Sequence, residues 1–401
     1  MVQTVLLTLG RLPKALDVAR ALKSAGCRVI VAEPFGWHLS RVSRAVDKSL
    51  KVPAPRTDQA AYFEALQRVI RQERVDLIVP VAEEAMHVAG LGPRLPSGVA
   101  LFGPDQKTLL GLHDKAAFIK QAARFGLAVP ETYDLGTEEA EVLAQRSAVI
   151  VKRVFSCSGV GLQRVERYAP LPAPGPHRAI VQALVPGPVL SSFSVAHQGR
   201  VVGTTVYEPT VLSGTVAVAF RRLTDQTAIE DWVHTFIRRA GVSGFMSFDF
   251  IAGPEGPVAI ECNPRVTSGV HFIEAESLAQ AILAPEESAG FVLRPHRLMQ
   301  QFYPTLTETQ AAVFARRDAK LLRHYLMRSR DVTWQMRDPL PFSTMAFTSY
   351  EILRRTIFDG VSFGEAATAD IEWGEDDRLT DPVPAGSASL SPLPNAGLPS
   401  P

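Results

Sequence analysis

Cysteine is scarce in this sequence. Three residues in 401, Cys27, Cys157 and Cys262, stand far apart and in odd number. That excludes a disulfide framework and any zinc-ligand spacing, and it fits a reducing cytoplasm. No apolar run reaches the ~18 residues of a membrane span. Met1 to Leu9 is apolar but has neither a basic start nor a small-residue cleavage site, so it reads as a first strand and not a signal peptide. Neither sign of charge is in excess: the net charge is +1, with 21% charged residues, which leaves no footprint for nucleic acid or for a polybasic membrane surface. A G-x-G-x-x-G fingerprint is missing too; Leu9-Gly10-Arg11-Leu12-Pro13 follows the first strand and argues against a dinucleotide site there. No Ser/His/Asp or Cys/His set is recognisable. The remaining composition is that of an ordinary globular protein, 46% hydrophobic and long enough for two or three domains.

The first hundred residues alternate strand and helix patterns. Val2 to Leu9, Arg28 to Ala32 and Val75 to Val81 read as strands; Leu12 to Ser24 and Asp58 to Gln72 read as helices. This βαβαβ order predicts an α/β domain with a doubly wound parallel sheet over residues 1–110. Arg11, Glu83 and Glu84 fall at its C-terminal strand ends, where such sheets bind ligands; as isolated loop charges they read as solvated. Asp114 is placed to cap a helix from Lys115 to Phe125.

A β-rich region follows. Strands are expected over Val149 to Val154, Leu162 to Val165, Ala179 to Val185, Phe193 to Ala196 and Arg200 to Tyr207, with His197-Gln198-Gly199 as a hairpin turn. A helix is expected over Ile229 to Ala240. Beyond residue 285 helical patterns are plausible over 307–329 and 347–358. A mostly helical region over 286–375 and a disordered tail over 376–401, rich in Pro, Gly, Ser and Ala, complete the division. The role of the region after 285 stays open between a lid, a dimer surface and a partner surface.

Chemistry concentrates in a second hairpin. Gly244 to Ile251 and Val258 to Glu261 are apolar runs joined by the turn-rich Gly253-Pro254-Glu255-Gly256-Pro257. Asp249 lies on the first run, and Ile260-Glu261-Cys262-Asn263-Pro264-Arg265 ends the second. Alternation turns Glu261 and Asn263 to one side. Two carboxylates and a carboxamide oxygen suit Mg²⁺ shared with substrate phosphates, with Arg265 near enough to meet a phosphate oxygen. Upstream, Lys152 ends a β-branched strand beside the small-residue loop Ser156-Cys157-Ser158-Gly159-Val160-Gly161, an arrangement suited to nucleotide phosphates. Lys115, at a helix start where a cation is mildly unfavourable, is a second phosphate candidate. Arg221 and Arg222 read either as groups that steady an acyl phosphate or as a solvated strand end, and His271 as a base or as a structural histidine.

These elements, in this order, resemble the ATP-grasp superfamily of carboxylate–amine ligases over roughly residues 1–275. The carriers are Leu101-Phe102-Gly103-Pro104, His113-Asp114-Lys115, Val151-Lys152 with the Gly loop, and Asp249 with Glu261-x-Asn263-Pro264-Arg265. The resemblance implies a two-subdomain α+β ATP-grasp fold over 111–285. It implies that Lys115, Lys152 and the loop residues Ser156, Ser158, Gly159 and Gly161 contact ATP phosphates, and that Gln182, Ala183, Leu184 and Val185 frame the adenine. Asp249, Glu261 and Asn263 would hold Mg²⁺, with Mn²⁺ as a substitute, and Lys152 and Arg265 would serve catalysis. One departure stands out: the hinge acid of the family is Gln182 or Ala183 here, with Glu208 as a replacement to consider. The expected activity is ATP-dependent activation of a small-molecule carboxylate as an acyl phosphate for attack by an amine, releasing ADP and phosphate in the cytoplasm. A homodimer is compatible with it. The alternatives are bicarbonate activation and a non-catalytic nucleotide-binding regulator.

Overall fold

The computed structural model describes residues 2–156, 161–374 and Asp377. Its first layer is a five-stranded sheet in the order β3-β2-β1-β4-β5, parallel throughout. The strands are β1 (Thr4–Leu7), β2 (Arg28–Glu33), β3 (Lys48–Lys51), β4 (Leu77–Val79) and β5 (Ala100–Leu101). Every residue of β1 is buried, as a central strand covered on both faces must be. Helix α1 (Pro13–Ser24) opens with Pro13 in its first turn, where the missing N–H costs nothing. Helix α2 (Gln59–Glu73) is capped by Asp58, which accepts from the Ala61 amide at 2.9 Å. Strand β3, Lys-Ser-Leu-Lys, lies at an edge and carries no apolar alternation, which is why the sequence does not announce it.

After a short helix α3 (Ala85–Val88), helices α4 (Gln106–His113) and α5 (Lys115–Arg124) lead out of this domain. The Asp114 side chain caps α5 by accepting from Ala117 N at 2.8 Å, as its position in the sequence predicts. A four-stranded antiparallel sheet follows, ordered β6-β9-β7-β8. It comprises β6 (Thr132–Asp134), β7 (Val149–Arg153), β8 (Gln163–Val165) and β9 (Ala179–Ala183), with α6 (Glu138–Arg146) packed on it.

The largest sheet has seven strands, ordered β14-β13-β10-β11-β12-β15-β16. Strands β10 (Val189–His197) and β11 (Arg200–Ser213) form the expected hairpin, with Gln198 at φ 48° and Gly199 at φ 78°, both in the left-handed region a tight two-residue turn demands. Strand β12 (Val216–Leu223) is followed by α7 (Thr227–Ala240), then by β13 (Gly244–Gly253) and β14 (Gly256–Asn263). Strand β13 alternates strictly. Met246, Phe248 and Phe250 face the helices, where Phe248 and Phe250 meet Trp232 of α7 at 5.3 Å between ring centroids and Phe118 of α5 meets Phe236 at 5.4 Å. Ser247 and Asp249 therefore face the opposite side.

Helix α8 (Ala275–Leu283) packs on α1. The chain beyond it rejoins the large sheet: β15 (Leu298–Gln300) pairs antiparallel with β12, and β16 (Arg330–Asp331) pairs parallel with β15. The helical pattern over 307–329 resolves into α9 (Phe302–Phe314) and α10 (Lys320–Arg328), separated at Arg316, which has φ 54°. A helix over Tyr350–Phe358 answers the second pattern. The proposed tail lies outside the described residues, apart from Asp377. No helix of the described residues is long and apolar enough to cross a membrane.

Burial overturns one expectation. Arg11, Glu83 and Glu84 are 4%, 1% and 0% exposed, not solvated loop charges. Arg11 is gripped by Glu33 (Nε to Oε1, 2.8 Å) and by Asp370 (Nη1 to Oδ1, 2.7 Å). Glu84 accepts from Thr8 Oγ1 and from the amides of Val81 and Ala82. The segment ending at Trp373 and the loop after β14 cover this end of the parallel sheet, so charges there need partners inside the protein.

Candidate active site

The acidic hairpin supplies the site's centre. Gly253 pairs with Gly256 around the two-residue turn Pro254-Glu255, and that register runs to Phe250 opposite Ala259; a one-residue bulge at Ile260 then sets Asp249 opposite Glu261 and Ser247 opposite Asn263. All four side chains share one face. Asn263 Nδ2 donates to Asp249 Oδ2 at 2.9 Å and to Glu261 Oε1 at 3.2 Å, while Ser191 Oγ of β10 donates to Asp249 Oδ1 at 2.5 Å. Burial, then the neighbouring Glu261 charge, pushes the Asp249 carboxyl up to about 7. Burial also works against the Glu261 charge, but Lys115 and Lys152 outweigh it and hold that carboxyl well below the usual range. Two half-buried carboxylates thus compete for one negative charge.

That competition fits a hard divalent cation, which would let both ionise. No group of three or more His, Cys, Asp or Glu among the described residues could hold a metal; the oxygen donors on this face are two carboxylates and an amide. This suits Mg²⁺, which keeps several waters and completes its shell on phosphates. Asn263 turns its N–H₂ toward the carboxylates and its Oδ1 toward Arg265 Nη2, 3.0 Å away. Offering the oxygen to a cation requires the amide to turn over and release Arg265.

Two lysines converge on the same place. Lys152, on β7, is 6% exposed and donates to the Ile260 carbonyl at 3.1 Å. Burial, with Lys115 nearby, lowers its pKa to about 8, so it stays mostly charged at neutral pH. Lys115 is the first residue of α5; its Nζ donates to the Ser156 carbonyl at 2.7 Å and stands 3.6 Å from Glu261 Oε2. Gly161, the other described loop candidate, has φ 73°. Ser158 and Gly159, with Cys157, lie outside the described residues.

Arg265 reaches back to the parallel sheet, with Nη2 2.7 Å from Glu83 Oε1, and Lys14 of α1 donates to the next carbonyl, Val266, at 2.8 Å. His113 sits 3.9 Å from Glu83, and burial drives its pKa down to about 4, leaving it neutral. The hinge segment is less open than the resemblance implies. Gln182 Nε2 donates to Thr132 Oγ1, and the amides of Ala183 and Leu184 donate to the carbonyls of Glu131 and Ala148, so neither amide is free for a base edge. Glu208 pairs with Arg221, on the face opposite Tyr207. His271 donates from Nδ1 to Asp17 at 2.5 Å, and Asp17 also takes Arg294 at 3.1 Å. This buried triad joins the loop after β14 to α1.

Sequence reasoning missed Ser191 and Tyr207. The buried Tyr207 hydroxyl shares hydrogen bonds with Ser191 and Thr267 beside Asp249, and burial, with the Asp249 charge, pushes it up to about 12. Both residues lie in plain β patterns, and only cross-strand register shows that they border the carboxylates.

Comparison with known proteins adds a family to this geometry. A model of the ATP-grasp domain matches residues 112–269. The carbamoyl phosphate synthase large chain of Rubrobacter xylanophilus is 26% identical over 317 residues, or 69% of this chain and 29% of that protein; the match thus spans under a third of the relative's length. The biotin carboxylase domain of Hydrogenobacter thermophilus 2-oxoglutarate carboxylase, solved with MgADP, ADP and bicarbonate, gives a TM-score of 0.57 at 18% identity, covering 70% of this chain and 69% of that one. N5-carboxyaminoimidazole synthetase from Staphylococcus aureus, complexed with ADP, gives 0.59 at 12% identity, covering 79% and 86%. Likeness at these identities speaks to fold alone. Residues 112–269 thus match an ATP-grasp domain, and the fold around them is similar to that of these solved structures.

Proposed function

We propose that this protein is an ATP-dependent ligase that activates a small-molecule carboxylate as an acyl phosphate and joins it to an amine. The observation that carries the reading is the convergence of Lys115, Lys152, Asp249, Glu261 and Asn263, with the Lys115 ammonium 3.6 Å from the Glu261 carboxylate. In-line phosphoryl transfer asks a protein mainly for positioning and charge neutralisation, and these side chains offer both. Asp249, Glu261 and the Asn263 oxygen would hold Mg²⁺, which when bound would neutralise phosphate charge. Lys115 and Lys152 would fix phosphate oxygens. A carboxylate oxygen of the substrate attacks the γ-phosphorus, the β–γ bridge breaks and ADP leaves. The amine then attacks the acyl carbon, the C–N bond forms, and phosphate departs. Arg265 would steady the acyl phosphate, with its guanidinium held by Glu83.

The test is product analysis with Mg²⁺, ATP and a panel of carboxylates and amines. ADP and phosphate should appear, and hydroxylamine should trap a hydroxamate when the amine is left out. Stoichiometric AMP and pyrophosphate would rule out the mechanism. ADP release that needs only bicarbonate would favour a carboxylase-type reaction, and no nucleotide cleavage with any pair would favour a non-catalytic binding protein.

A further inference from the structure

Register across the large sheet places one residue from each of five strands in a single row. Glu261 stands opposite Asp249, Asp249 opposite Ser191, Ser191 opposite Tyr207, and Tyr207 opposite Arg222. Directly opposed residues of antiparallel strands project to the same face. The row therefore begins with two carboxylates, passes two hydroxyls and ends in a guanidinium. Arg221, the next residue along the chain, projects to the other face and pairs with Glu208.

Arg222 lacks an anion among the described residues. Its Nη2 donates to the carbonyl of Arg294 at 3.2 Å, its Nε is buried without a hydrogen-bond partner, and no carboxylate pairs with it among the described residues. The charge that acts on it is a second cation, Arg297; burial and that cation lower its pKa. The other arginines of the interior are answered: Arg11 by Glu33 and Asp370, Arg20 by Asp338, Arg265 by Glu83. A half-buried guanidinium beside another cation, with a donor left over, matches the requirements of carboxylate or phosphate recognition.

We propose that Arg222, with Arg297 beside it, anchors a second, non-reacting anionic group of the substrate whose carboxylate is activated beside Asp249 and Glu261. The reacting end of this assignment rests on the ligase reading; the anchor is a binding site in its own right. Three strand spacings separate the Asp249 and Arg222 backbones by about 14 Å. With the Arg222 side chain turned toward the acidic end, its reach and that of the phosphoryl group there would take up part of that span. A short chain remains, roughly that of a four- or five-carbon dicarboxylate or its phosphate-tailed counterpart.

Binding and turnover test it separately. Affinities for succinate, glutarate and O-phosphoserine, against butyrate, pentanoate and serine, are measured by thermal shift with Mg²⁺ and ADP present; ADP release is then followed with ATP and ammonium. The dianions should bind the wild type more tightly than their monoanionic partners. In Arg222→Gln that preference should fall about 10- to 100-fold, the weight of a charge-assisted contact. Arg222→Lys, which keeps the charge but not the fork, should fall between, and Arg221→Gln should keep the full preference. Preference for glutarate over O-phosphoserine would identify the tail as carboxylate, and the reverse as phosphate. Equal binding of monoanions and dianions, or a preference that survives in Arg222→Gln, would overturn the anchor. Dianion binding through Arg222 without ADP release from any pair would keep the anchor and remove the ligase reading. Turnover of monocarboxylates as readily as dianions would do the opposite.

Discussion

Each residue at the acidic centre is defined by the charge of its neighbours. Lys152 is buried among Glu261, Asp249 and Lys115, a setting that keeps an ammonium charged only while anions surround it. Lys152→Ala should weaken ATP binding about tenfold or more, since a charge-assisted contact to phosphate contributes roughly 1.5–3 kcal/mol; calorimetry with a nonhydrolysable ATP analogue measures it, and unchanged affinity would remove this lysine from the site. Glu261→Gln is a different case. It leaves Asp249 and Asn263 in place but removes one negative oxygen donor, so turnover should fall further than ATP affinity, and the Mg²⁺ dependence should move to higher concentration. Near-normal turnover at limiting Mg²⁺ would show that the hairpin is not the metal site.

At the level of elements, the loop after β14 decides how the two halves meet. Its 3₁₀ turn, Ser268–Phe272, rests directly on the sheet face that carries Tyr207. A Cβ at Gly269 would stand 2.4 Å from Phe193 Cβ, 2.8 Å from Thr205 Oγ1 and 3.0 Å from a Tyr207 ring carbon. Gly269→Ala must therefore push this turn off the sheet. The expected cost is about 1–3 kcal/mol, typical of overpacking, measured by urea unfolding. Because Tyr207 borders Asp249, the same variant should lose turnover beyond what its stability predicts. Normal turnover in the folded variant would show that the turn does not position the acidic row.

For the whole molecule, buried ion pairs link the parallel-sheet domain to everything that follows it. Arg11 and Asp370, Arg20 and Asp338, and Asp17 with His271 and Arg294 all bridge α1 or the turn before it to residues more than two hundred and fifty positions away. Asp17 gives this a pH signature. Burial alone would raise its carboxyl, but Arg294 and then His271 overcome that and hold it at about 2, below the usual aspartate range. A depressed folded-state pKa contributes stability above the unfolded value and loses it as pH falls through the folded one. The contribution is about 2 kcal/mol at neutral pH. The stability gap between wild type and Asp17→Asn should hold from pH 7 to about pH 4 and shrink toward pH 2.5 in urea titrations. A gap constant over that range would show that the Asp17 charge does not hold the two parts together.

The sequence by itself determined whatever depends on near neighbours. Alternation and turn chemistry were enough for the acidic hairpin and the His197–Gly199 turn, the Asp114 cap was legible from its place before an apolar helical face, and the βαβαβ order was enough for the parallel sheet. The motif residues Lys115, Lys152, Asp249, Glu261 and Asn263 could all be named, although the sequence did not show that they meet. What the tertiary structure decided are contacts between distant segments: Glu83 against Arg265, Lys115 against the Ser156 carbonyl, Asp370 on Arg11. The same holds for strands β15 and β16, too short to show a pattern, and for the row that joins Glu261 to Arg222. A strand's period of two tells which residues share its face, but not which residue of the next strand lies opposite. Register is set by the packing of the whole sheet, and with it the surroundings of Tyr207 and Arg222.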